Sequence, residues 1–120
     1  MTQISVTEEE IRTIDDYLKG YALSEKMLKL DKYERTYFAY NDKDEEYKSN
    51  DIALFRAKMF EIRHFIMNMK NGDEKLMLYY HYIRGETVDR CAEMLGISRS
   101  SGFRLKKRAL ALAAKIQKNS

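Results

Sequence analysis

The side chains best suited to recognition chemistry stand together in residues 87–112, TVDRCAEMLGISRSSGFRLKKRALAL. Arg99, Ser100, Ser101 and Arg104 combine forked guanidinium donors with short hydroxyls, and Lys106, Lys107 and Arg108 follow as a cationic block. A guanidinium can bond both acceptors of a guanine edge at once. Ammonium groups pair with phosphates in contacts that weaken as salt rises. Thr87 and Ser98 add hydroxyls at two expected helix N-termini, where free N–H groups also favour phosphate. From Ser98 onward there are seven Lys or Arg and no Asp or Glu. Arg99, Ser100, Ser101 and Arg104 are therefore expected to read base edges of double-stranded DNA. Thr87, Ser98, Lys106, Lys107 and Arg108 are expected to hold its phosphates.

Such a face needs a scaffold, and the spacing predicts two helices joined by a sharp turn. Ala92 supplies a small residue where the helices must cross closely. Gly96 suits a backbone position with positive φ, Ile97 plugs the turn, and Ser98 caps the second helix. Gly102, Leu105, Ala109 and Leu112 recur at spacings of three and four, which predicts an inner face. Arg99, Ser100, Ser101, Phe103, Arg104, Lys107 and Arg108 are left facing outwards. This is the pattern of a helix-turn-helix. Its second helix would lie in the major groove, with early residues at bases and later ones at phosphates.

Upstream, Thr7-Glu8-Glu9-Glu10 reads as a capping box. Ile11, Ile14, Leu18 and Tyr21 form an amphipathic stripe, slightly weakened by Gly20. Met27, Leu30, Tyr33 or Glu34, and Tyr37 continue it to about Tyr40, in one helix or in two joined near Leu23-Ser24. The acidic run 41–51, NDKDEEYKSND, predicts a loop. Asp51 is expected to cap a helix whose seam is Ile52, Phe55, Met59, Ile62, Ile66 and Met69, closed by Asn71-Gly72. That seam suits either a core or a dimer surface. Asp73 is expected to cap the next helix, with Leu76, Met77, Tyr80 and Ile83 buried, and Gly85 to stop it. The predicted fold is all-α, with an N-terminal helical hairpin or bundle over 1–71 and a tri-helical C-terminal module over 72–120.

Composition agrees with a helical protein. Of 120 residues, 44% are apolar and 34% charged, and proline and tryptophan are absent. The net charge of +3 is unevenly spread: the balance is −5 over residues 1–51 and +6 over residues 84–120. A basic end joined to an acidic half suggests polyanion binding at one end and another task at the other. The longest uncharged run, LMLYYHYI at 76–83, is too short for a bilayer. The acidic start MTQISVTEEE does not read as a secretory signal, and Cys91 has no disulfide partner. Two separated histidines, His64 and His81, give no zinc spacing. Asp42, Asp44, Glu45 and Glu46 lack the glycine and terminal glutamate of a calcium loop. Catalytic residues, a metal and a cofactor are not expected, and the expected location is the cytoplasm.

Residues 75–112 resemble the promoter-reading C-terminal domain of primary sigma factors. They are more similar still to small sigma-like regulators of phages and prophages of low-GC Gram-positive bacteria, the ArpU/RinA-type group. The resemblance is carried by LMLYYHYI, by Gly85-Glu86-Thr87, by Ala92, Leu95, Gly96, Ile97 and Ser98, and by Arg104, Leu105, Ala109 and Leu110. It implies an all-helical, promoter- or operator-binding transcriptional regulator. Gly102 stands where that group usually has Val, and Cys91 where Ile is common. On sequence grounds Gly102 removes core volume and costs up to ~1 kcal/mol of helix propensity. The expected partners are DNA through the C-terminal module and, through the N-terminal helices, RNA polymerase or a second copy in a homodimer. Two alternatives fit the same pattern: a DNA-packaging adaptor akin to a small terminase subunit, and a sigma-mimicking or anti-repressor module that binds only protein.

Overall fold

The computed structural model describes residues 5–37 and 42–119, the side chains of 42–49 excepted. The chain is all-helical, and no strand occurs among the described residues. Helix α1 runs Glu8–Tyr37 without interruption at Leu23-Ser24. It starts as the capping box requires: Thr7 Oγ1 accepts the Glu10 N–H and Glu10 Oε1 accepts the Thr7 N–H, each at 3.1 Å. The expected continuation over residues 38–40 lies outside the described residues.

Helix α2, Asp42–Met67, corrects the expected loop at 41–51. A polar, acidic run free of Gly and Pro is as compatible with a helix start as with a loop, because carboxylates suit the positive end of the helix dipole. Asp51 consequently lies inside α2 rather than at its cap. The later part of the expected seam is used within the chain, while Ile52, Phe55 and Met59 are half-buried. Ile62, Ile66 and Met69 are buried beside Ile14, Leu18 and Tyr21 of α1. At Gly20 an added Cβ would meet Ile62 Cδ1 at 3.4 Å, an ordinary contact with the tip of a flexible side chain, so the pairing does not demand glycine there. Farther along the hairpin the apolar stripe of α1 is uncovered, with Leu23, Leu30, Tyr33 and Tyr37 all exposed.

Helix α3 covers Asp73–Leu78 and continues as a π-helical turn, Tyr79–Ile83. Gly72, not Asp73, occupies its cap position. The wider turn, closed by the Arg84 N–H on the Tyr79 carbonyl at 3.1 Å, resets the helical register. Leu78 and Tyr82 are buried, whereas Leu76, one turn before the π segment, is exposed, contrary to the expected face. Gly85 has a φ of 72°, and it ends the turn.

Helix α4, Val88–Leu95, and helix α5, Arg99–Lys118, follow. Met77, Val88, Cys91 and Leu105 form a small core among α3, α4 and α5. Beyond Leu105, α5 turns its buried face to the main core, where Ala109, Leu110, Ala113 and Ala114 join the cluster that holds the buried residues of α1. Leu112, expected on the inner face, is exposed. The inner face shifts because α5 outruns the eight-residue α4 and packs next on α1. Sequences from both expected units thus share one core.

Candidate nucleic-acid interface

The face carrying Arg99 and Arg104 is set by the joint between α4 and α5. Thr87 caps α4, its hydroxyl oxygen accepting the Arg90 N–H at 3.1 Å. Gly96 ends α4 in the left-handed region, φ 70°, which only glycine enters without a Cβ penalty. Ser98 caps α5 by accepting the Ser101 N–H at 3.2 Å. The helices then cross tightly at Gly102, where an added Cβ would lie 2.9 Å from Ala92 Cβ. The glycine that sequence reasoning took for lost core volume is a requirement of the crossing.

The structure brings Arg99, Ser100 and Arg104 together on the exposed side of α5. Arg99 Nε pairs with Asp89 Oδ1 of α4 at 3.0 Å, and its guanidinium lies 5.7 Å over the Phe103 ring. Arg104 Nη2 donates to the Ser101 hydroxyl at 3.1 Å, and Ser98 donates to the same oxygen at 2.9 Å. Ser101 is half-buried and engaged in this local network, so it supports Arg104 more directly than it faces outwards. The hydroxyl oxygens of Thr87 and Ser98 are likewise committed to their own helices.

Among the expected phosphate cations, Lys107 and Arg108 are exposed but paired across the fold. Lys107 Nζ lies 3.1 Å from Glu8 of α1, and Arg108 Nε lies 2.9 Å from Glu74 of α3. Glu74 is held below its ordinary carboxyl pKa by its own backbone N–H and by Arg108. Lys106 does not join this face. It is half-buried with its ammonium 6.0 Å from the Tyr82 ring. There it belongs to a polar cluster that ties α1 to the π turn: the Tyr82 hydroxyl donates to Asp15, which also pairs with Lys19 at 2.9 Å. Burial alone would raise the Asp15 carboxyl, but Tyr82, Lys19 and Lys106 outweigh it and hold it low. Burial and the same bond push the Tyr82 phenol well above its ordinary value.

Beside this cluster, His81 Nδ1–H donates to the Glu86 carbonyl at 2.7 Å, fixing the entry to α4. Burial lowers its pKa against the opposing pull of that bond. Burial also raises the Cys91 thiol, which sits in the small core. Glu8, Glu74 and Asp89 were invisible as partners of these cations in the sequence, because two of the pairs span most of the chain or a long loop of it.

No helix among the described residues is long and apolar enough to cross a membrane. Neither the curated proteins nor the solved structures compared with the chain include a match. A family model described as a protein of unknown function (DUF1492) matches residues 42–113, from the start of α2 through most of α5. Since that span covers well over half of the sequence, the chain belongs to the DUF1492 family.

Proposed function

We propose that the chain is a non-catalytic, sequence-specific DNA-binding transcriptional regulator of the sigma-like phage and prophage type. In this reading α4 and α5 are a helix-turn-helix, and α5 enters the major groove. One observation carries it: Arg99, Ser100 and Arg104 share the exposed side of a capped helix whose other side is locked at the Gly102–Ala92 crossing. The early residues are then placed for base edges, and Lys107 and Arg108 for phosphates once these displace Glu8 and Glu74. A second copy would cover the exposed apolar stripe on the later part of α1. Leu23, Met27, Leu30 and Tyr37 recur there at steps of four, three and seven, a seam of heptad type.

The test is selection of bound sequences from random duplex DNA, with mass measured in solution. The parent protein selects a defined motif. Arg99→Ala and Arg104→Ala each blur it at one or two positions, at about 1–3 kcal/mol of lost discrimination. Lys107→Ala weakens binding to all sequences alike and flattens the salt slope by about one. A protein that ignores duplex DNA even in dilute salt and binds only protein overturns the reading. A ring of about eight subunits would instead favour the packaging adaptor, whose closed assemblies are rings.

A further inference from the structure

Phe103 is the anomaly of the outer face of α5. It is 47% exposed, belongs to neither core cluster, and sits among Arg99, Ser100, Arg104 and Lys107. Its one described partner is the Arg99 guanidinium, stacked at 5.7 Å over the ring. Arg99 also pairs through Nε with Asp89 at 3.0 Å, an exposed pair that leaves Nη1 and Nη2 without a described partner. A planar cation and an aromatic ring thus stand side by side among other exposed cations of α5. In the major groove the apolar feature available to such a ring is the 5-methyl group of a pyrimidine, and the acceptor pair that fits the free guanidinium edge is guanine O6/N7.

We infer that Phe103 and Arg99 form a composite site for a 5-methylpyrimidine–guanine step, Phe103 covering the methyl group and Arg99 bonding the adjacent guanine. This rests on the DNA reading proposed above. Thymine and 5-methylcytosine offer the same methyl, so the experiment separates them.

The probe is the duplex chosen by the selection, resynthesised with uracil for thymine one position at a time. A second set carries cytosine or 5-methylcytosine at the same position. At one pyrimidine next to the Arg99-dependent guanine, loss of the methyl should weaken binding about fourfold, the equivalent of one buried methyl group. Thymine and 5-methylcytosine should each bind better than their unmethylated forms, and the higher affinity of the two names the native base. Phe103→Ala should bind methylated and unmethylated probes equally, while Phe103→Leu keeps part of the ratio. If a motif is selected and no position responds to the methyl, or if Phe103→Ala keeps the full ratio, the composite site is refuted and the DNA reading stands. If no duplex is retained at all, the DNA reading itself is refuted.

Discussion

Replacing Gly102 by Ala strains the joint that aims α5. The new Cβ would lie 2.9 Å from Ala92 Cβ, whereas nonbonded carbons settle about 3.5–4.0 Å apart. Both carbons are fixed directly to helix backbones, so no rotamer change relieves the clash. The helices must part by about 0.6–1.1 Å, loosening Val88, Cys91 and Leu105, which are buried at the crossing. Overpacking of this kind costs about 1–3 kcal/mol, and the better helix propensity of Ala returns about 1 kcal/mol. The expected net is a loss of about 1 kcal/mol, measured by urea unfolding followed by circular dichroism. Gly102→Val should cost more. Adding Ala92→Gly to Gly102→Ala should recover part of the loss, with a coupling of at least about 0.5 kcal/mol in a double-mutant cycle. A Gly102→Ala variant about 1 kcal/mol more stable than the parent, as for an ordinary helix position, would refute the close crossing. So would strict additivity of the two substitutions.

Tyr82→Phe removes the donor to Asp15 and should cost about 1.5–3 kcal/mol at neutral pH, the worth of a hydrogen bond to a charged group. Because the Asp15 carboxyl is held low, its contribution is present above the ordinary carboxylate value and lost as pH falls through the lowered one. The deficit of the variant should therefore shrink in acid, and a pH-independent deficit would contradict the assignment. His81 is kept neutral by burial, so it stabilises above its ordinary value of 6.5 and loses that contribution as pH falls below it. Nuclear magnetic resonance titration of its ring should give a midpoint below 6.5, and a midpoint above it would show that the Glu86 carbonyl bond outweighs burial and refute this sign. Glu8→Gln frees Lys107, and duplex affinity at low salt should rise, within about fivefold for an exposed pair. A fall in affinity would show that Glu8 does not compete with phosphate.

The parts of the fold that depend on neighbours in sequence were legible in it. The capping box at Thr7, the caps at Thr87 and Ser98, and the left-handed Gly96 follow from hydroxyl and glycine chemistry within four residues. The start of α2 was not legible, since Asp, Glu, Lys and Asn at 41–51 serve a loop or a helix N-terminus equally well. The face of α3 failed at Leu76 because a six-residue helix offers too few turns for periodicity to fix its buried side, and packing buries Met77 and Leu78 instead. On α5 the misplacements of Lys106 and Leu112 have one cause: which neighbour a long helix meets after its first turns is decided by tertiary packing. The same holds for Gly102, whose value is set by the Ala92 Cβ rather than by its own propensity.

The helix bearing Arg99 and Arg104 is also a pillar of the main core, through Ala109, Leu110, Ala113 and Ala114. It has no swivel of its own. At about 1.5 Å per residue, the 30 residues of α1 make a boom about 45 Å long bolted to the same shaft. Among the described residues α1 is uninterrupted, so a load on its tip would be carried into the core that also seats the arginine face.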